Sequence, residues 1–262
     1  MPGGFLLRLF QGEALEKSTL IEITEGQSFT IQASFGKIRY MRRNFIFSID
    51  EYYHVYNRGT DKRIIFLEQN DRNRFVALLH LCNSTKKVDI SNLIREGLSF
   101  TGLMDIEVSD RLVDIGAYCI MDNHFHLLLR EKKTNGISLF MKKLLTAYSM
   151  YFNKKHGRSG GLFEGPFRAT HADSDEYLKY LFAYIHLNPI KIIDPGWKEN
   201  GIADREASEK YLAKYRFSSY LDYSGEERGE GVILNKAAFP EYFSDIKDFE
   251  DFIGGWLSFK SS

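Results

Sequence analysis

Two short stretches carry side chains whose types and spacing could do chemistry: His124-Phe125-His126 and Tyr184-Ile185-His186-Leu187-Asn188-Pro189. Side chains alternate faces along a β-strand, so both imidazoles point one way while Phe125 points into the core. Two histidines converging from one strand make a chelate for a divalent metal, although such pairs also occur as plain packing. Tyr184 and Asn188 are four apart, hence neighbours one turn apart on one face of a helix. A phenol has a pKa of about 10 and needs a metal or a nearby cation to act as a nucleophile at neutral pH. The Asn188 amide could give that metal an oxygen, completing a His, His, amide set open to substrate oxygens. Oxygen ligation with open positions suits Mg²⁺ or Mn²⁺, whereas imidazoles alone would also take Zn²⁺. The same helix is rich in aromatic residues, and Tyr180 lies one turn earlier on the ridge of Tyr184. Spacing does not rank the two. His186 stands about 200° round the helix from Tyr184 and reads as structural.

These residues need elements to position them. Residues 53–57 read as a strand closed by Asn57-Arg58-Gly59. Phe75, Leu78, Leu79 and Cys82 have helical spacing, with Asn70 or Asp71 as cap. Residues 83–111 hold a short helix and a loop. Residues 112–120 and 124–130 are two strand-like runs flanking the hairpin turn Met121-Asp122-Asn123. A long amphipathic helix over 136–156 runs through Phe140, Leu144, Leu145, Tyr148, Tyr151 and Phe152, and 157–161 ends it. Residues 162–171 read as one more strand, and a helix from Ser174 stops at Asn188 because proline disfavours helical geometry in the residue before it. That order is an α+β, ferredoxin-like split βαββαβ unit: an antiparallel sheet with helices on one face and an added helix bearing Tyr184.

Three segments follow. Residues 1–44 are either a small β-type appendage or the product of a mis-set start, with Met41 the true first residue. Residues 45–195 hold the unit just described. Residues 196–262 turn polar and irregular and end in an acidic, partly helical extension. No apolar run approaches the roughly 18–20 residues of a membrane span, and two cysteines, Cys82 and Cys119, give neither a disulfide framework nor a zinc pattern. Both read as core thiols, and a cytoplasmic, reducing location is expected. The net charge of zero hides a split. Residues 140–171 carry six lysines and arginines against Glu164 alone, while 222–251 carry nine acids against three bases. Phosphate backbones respond to local potential, so the basic band is compatible with DNA, although solvated helix faces produce such runs equally well.

The two motifs resemble a known family. His124-Phe125-His126 looks like the HUH motif, histidine–hydrophobic–histidine, of single-strand DNA endonucleases and transposases. Tyr184 through Lys191 is similar to the nucleophile helix of the REP-associated tyrosine transposases, relatives of the IS200-like kind, in which Tyr is followed at +4 by Asn and then Pro. Tyr53-His54-Val55-Tyr56-Asn57-Arg58-Gly59 and Leu162-Phe163-Glu164-Gly165-Pro166-Phe167-Arg168 agree as further blocks. The resemblance covers roughly residues 50–195 in order, and four spaced blocks are far more specific than either motif. It favours Tyr184 as nucleophile over Tyr180, Tyr148 or Tyr151. It makes the insertion-sequence transposases with Gln at +4 more distant cousins. Residues 83–111 are longer than a minimal member needs and residues 1–44 match nothing familiar, which leaves the DNA specificity open.

The resemblance implies that His124, His126 and Asn188 hold Mg²⁺ or Mn²⁺ and that Tyr184 cuts single-stranded DNA beside a hairpin through a 5′-phosphotyrosine link. Arg58, Lys142, Lys143 and Arg168 are the expected phosphate contacts. Insertion-sequence relatives act as dimers that trade helices and the REP-associated kind can act singly, so monomer and homodimer both stand. Two rivals compete. His124, His126 and Glu131 echo the ligand run of a cupin, but a long helix over 136–156 does not fit an all-β barrel. A domesticated hairpin-binding protein would keep the fold without cleaving.

Overall fold

Period-two alternation sorts the strand carrying both histidines cleanly between two layers. A computed structural model describes residues 5–9, 18–23, 30–34, 46–86 and 89–257. The first three segments are strands β1 (Phe5–Leu9), β2 (Ser18–Ile23) and β3 (Thr30–Ser34), paired antiparallel in that order. Met41, the alternative start, lies outside the described residues.

The main sheet holds β4 (Tyr52–Arg58), β5 (Val113–Ile120), β6 (His124–Glu131) and β7 (Arg168–His171) in the order β5-β6-β4-β7, all neighbours antiparallel. This is the ferredoxin-like order expected from the sequence. Between β4 and β5 run α1 (Gln69–Leu81) and two short helices, α2 (Ile90–Arg95) and α3 (Phe100–Met104), where one was expected. Helix α4 (Gly136–Lys155) follows β6, and α5 (Asp175–Leu187) follows β7.

Phe125, Leu127 and Leu129 of β6 are fully buried against α1 and α4, together with Val55, Phe75, Phe140, Leu144 and Tyr148. The opposite face of the same strand carries His124, His126 and Leu128. Leu128 packs with Ala117 and Cys119 of β5 against Leu181, Tyr184 and Ile185 of α5. Helices α1 and α4 thus cover one face and the added helix α5 the other. A bulge in β5 keeps this sorting intact. Its register shifts between Ile115 and Ala117, so Gly116 is the extra residue. A Cβ on Gly116 would lie 2.6 Å from the Phe239 ring, so a side chain there would collide with the C-terminal layer. Cys82 and Cys119 are both buried thiols, as expected.

Two local expectations differ from what forms. Residues 162–171 were expected as one strand, yet only Arg168–His171 pairs along β4. Gly165 adopts a left-handed φ of 67° and Pro166 has no N–H to donate, so the ladder breaks there. The preceding stretch still crosses β4 through Gly59–Phe163 bridging and the bond from Glu164 N to Arg58 O. At the end of α5, Asn188 keeps a helical φ of −54° and ψ of −37° despite the following proline. The chain then tightens into a 3-10 turn, Asn188–Ile192, and the Asn188 side chain donates to the Tyr184 carbonyl one turn back.

Beyond residue 195 come α6 (Trp197–Asn200), α7 (Arg205–Leu212), α8 (Tyr220–Tyr223) and α9 (Ile246–Leu257). The stretch through Ser218 bridges Cys119, with Ile120 N bonded to Phe217 O and Ser219 N to Tyr118 O. It therefore occupies the outer edge of β5 and satisfies backbone groups that would otherwise invite pairing with another chain. Phe249, Ile253 and Leu257 of α9 pack on Ala183 and Leu187 of α5. Among the described residues, no helix is long and apolar enough to cross a membrane.

Candidate active site

His124 and His126 share a face, as their spacing requires, with ring centroids 5.0 Å apart. Helix α5 crosses that face and sets the Tyr184 ring 5.4 Å from the ring of His126, nearly perpendicular to it. Ser174 starts α5 by accepting from Tyr177 N, and Asp175 and Glu176 in the first turn complement the helix dipole. The strand and the helix thus meet where the two motifs lie.

Each histidine is anchored through Nδ1. His124 Nδ1 lies 2.6 Å from Asn123 Oδ1, and Asn123 Nδ2 donates to the Lys62 carbonyl at 3.0 Å. That second bond fixes which end of the amide faces the ring, so His124 Nδ1 carries the proton and Nε2 the lone pair. His126 Nδ1 lies 2.9 Å from His54 Nε2, a partnership absent from the sequence reading. His54 sits on β4 beside Tyr56, whose register partner on β6 is His126. Its period-two place on a strand was readable; that β4 and β6 are adjacent was not.

Asn188 is completely buried. Its Nδ2 bonds the Tyr184 carbonyl at 2.9 Å, while its Oδ1 has no hydrogen-bond partner among the described residues. A buried acceptor in that state costs about 1–3 kcal/mol unless a donor or cation reaches it. Among the described residues, no group of three or more His, Cys, Asp or Glu side chains is arranged to hold a metal. Two imidazoles and one amide oxygen would be the available donors.

The alternative tyrosines occupy different surroundings. Tyr180 packs on Tyr177, Tyr184 and Trp256, and burial, with the neighbouring Tyr184 and Tyr177, holds its phenol well above the ordinary range. Tyr148 lies in the α1–α4 layer and donates to the Ile65 carbonyl, with its phenol raised by burial. Tyr151 donates to Asp71 at 3.1 Å on that same side of the sheet. His186 is fully buried, with Nε2 2.8 Å from Ser219 Oγ, and burial holds its imidazole down to about 3. It ties α5 to the segment on the β5 edge.

The expected phosphate contacts divide between two sides. Arg58 and Arg168 are register partners of His124 and Tyr56, which places both on the histidine face. Arg58 bonds Glu164, whose carboxyl is held below its usual range by that bond and by the nearby charges of Arg168 and Lys62. Lys142 and Lys143 lie on α4, which covers the other face. Lys142 is exposed, and Lys143 Nζ donates to the carbonyls of Ser84 and Lys86. Glu131 also points to the α4 side, where its carboxylate accepts from Gly136 N and Ile137 N. It caps a helix and is not a third ligand for the histidines, which removes the cupin reading.

The His124–His126 pair of an antiparallel α+β sheet thus faces the tyrosine-bearing helix α5. Residues 102–188 match the model of the family described as Transposase IS200 like. The matched segment contains His124, His126, Tyr184 and Asn188, whereas β4 and His54 precede it. None of the curated proteins compared matches the chain. One similar solved structure is of a REP-associated tyrosine transposase bound to a REP hairpin. It is 12% identical, with 79% of this chain and 93% of that chain covered and a TM-score of 0.42, too distant to carry residue roles across.

Proposed function

We propose that this chain is a divalent-metal-dependent, single-tyrosine DNA strand transferase that cuts single-stranded DNA beside a hairpin and rejoins it. The observation that carries the reading is the meeting of the Tyr184 ring with His126 at 5.4 Å, with Asn188 one turn further along α5. Tyr184 is the nucleophile. Its phenolic oxygen attacks phosphorus in line, and the bond to the departing 3′-oxygen breaks as the Oη–P bond forms. The phenolic proton passes to solvent, and the departing oxygen takes one up to become a 3′-hydroxyl. The 5′-phosphate stays on Tyr184 as a diester, so attack by another 3′-hydroxyl rejoins strands without ATP.

His124, His126 and Asn188 are the residues that would hold Mg²⁺ or Mn²⁺. The donor set fits: both imidazoles are engaged at Nδ1, and a buried amide oxygen has no hydrogen-bond partner among the described residues. Bound there, such an ion would offset charge on the phosphate oxygens and favour the phenolate. Arg58 and Arg168 would hold backbone phosphates on the histidine face, while Lys142 and Lys143 would meet only DNA that reaches the α4 side. Residues 45–195 would be the unit that carries the chemistry, with α9 of the following extension packed on α5. The hairpin preference follows from the resemblance of the Tyr184–Pro189 block.

The test uses hairpin-bearing single-stranded DNA with Mn²⁺ and a denaturing gel. Wild type should give a covalent protein–DNA adduct, and His126→Ala, still folded, should give none. An adduct persisting in Tyr184→Phe overturns the assignment. Hairpin binding with no adduct in wild type would instead indicate a domesticated binding protein.

A further inference from the structure

We propose that His54 is a positioning residue that sets the tautomer of His126 by accepting its Nδ1–H, which turns the His126 Nε2 lone pair toward the cation. The inference rests on the metal role given to His126 above. Two neutral imidazole nitrogens 2.9 Å apart share one proton, because one must donate and the other accept. If His54 Nε2 donated, His126 would carry its own proton on Nε2 and could not ligate through that atom. If His54 Nε2 accepts, His126 Nε2 carries the lone pair that ligation requires, and His54 holds its own proton on Nδ1. The second arrangement alone matches His124, whose Nδ1 donates to Asn123 Oδ1. Metal-bound histidines generally present their second nitrogen to an outer acceptor in this way. Here that acceptor is an imidazole supplied by the neighbouring strand.

The surroundings lock the arrangement. His54 is 6% exposed and His126 3% exposed, so bulk water is a poor substitute acceptor. The His54 ring lies edge to edge with that of His126, centroids 5.0 Å apart and planes 21° apart, and lies against the Tyr56 ring at 5.0 Å and 29°. The Tyr184 ring also lies against it, edge-on at 5.6 Å. One imidazole therefore holds the proposed ligand and lies against the ring of the proposed nucleophile, so its loss loosens both.

The experiment compares wild type, His54→Gln and His54→Leu. Glutamine can place an amide oxygen near the Nε2 position and still accept, whereas leucine fills the space without an acceptor. Imidazole ¹⁵N–¹H correlation spectra of the metal-free proteins report the His126 tautomer directly, and Mn²⁺ titration followed by electron paramagnetic resonance reports affinity. Wild type and His54→Gln should show His126 protonated on Nδ1. His54→Leu should lose that signature and bind Mn²⁺ about 10- to 100-fold more weakly, the usual effect of removing an outer partner of a metal ligand. A wild-type His126 protonated on Nε2, or His54→Leu binding Mn²⁺ as wild type does, overturns the proposal. If no form binds Mn²⁺ while the tautomer follows His54 as described, the metal reading fails and the positioning of His126 stands.

Discussion

Replacing Asn188 by leucine separates a residue kept for ligation from one kept for stability. Leucine has nearly the same branched shape. It deletes a fully buried Oδ1 that lacks a hydrogen-bond partner among the described residues, and it also deletes the 2.9 Å bond from Nδ2 to the Tyr184 carbonyl. Removing an unsatisfied buried acceptor returns about 1–3 kcal/mol, and losing one ordinary hydrogen bond costs about 0.5–1.5 kcal/mol. The metal-free variant should therefore lie between about 0.5 kcal/mol less stable and about 2.5 kcal/mol more stable than wild type. Mn²⁺ should act unequally on the two proteins. A ligand at one hundred times its dissociation constant stabilises the folded state by about 2.7 kcal/mol, and the variant should forfeit most of that. Urea melts in EDTA and in Mn²⁺ give all four numbers. A loss of more than about 2 kcal/mol in EDTA would make Asn188 a structural cap under the same arithmetic. Equal Mn²⁺ stabilisation of both proteins would refute its place in the ligand set.

Glu164→Ala should tighten binding of single-stranded DNA, because it removes a carboxylate bonded to Arg58 and flanked by Arg168 and Lys62. Fluorescence anisotropy across a salt series should show a steeper salt dependence, by about 0.7 in log–log slope for each cation released to phosphate; unchanged affinity and slope would exclude these cations from the DNA path. His186→Phe should alter the response to acid. In the folded chain burial holds this imidazole down to about 3, against an unfolded value of about 6.5. The unfolded state thus binds the proton first, and wild type loses stability as pH falls from about 6.5 towards 3. The variant loses the Ser219 contact at neutral pH without changing this slope; the urea midpoint should fall further between pH 7.5 and 4.5 in wild type than in the variant, and parallel declines would contradict the burial argument.

How far the site could be read from the chain depends on the range of each interaction. The facing of His124 and His126 and the adjacency of Tyr184 and Asn188 follow from local periods of two and 3.6, and both are present. The hairpin over Met121-Asp122-Asn123 is equally local. His54 escaped because its role depends on β4 lying beside β6 in a particular register, a relation between residues 72 positions apart. The choice among tyrosines likewise needed the layer each one enters. Tyr148 and Tyr151 have helical spacing as good as that of Tyr184, yet their helix covers the face opposite the histidines. Tertiary contacts also overrode two local rules: Asn188 stays helical before proline, and the polar stretch around Ser218 takes up an edge position on β5.

The layer of α9 on α5 bears on how such a site can be shared between molecules. A nucleophile helix that crosses to a neighbouring chain must first leave its own. Here departure would strip Ala183 and Leu187 from Phe249, Ile253 and Leu257, and would break the link from His186 to Ser219. Exposing large apolar side chains costs roughly 1.5–3 kcal/mol each. Under the proposed function, α9 would act as a latch that raises the cost of exchanging Tyr184 between copies.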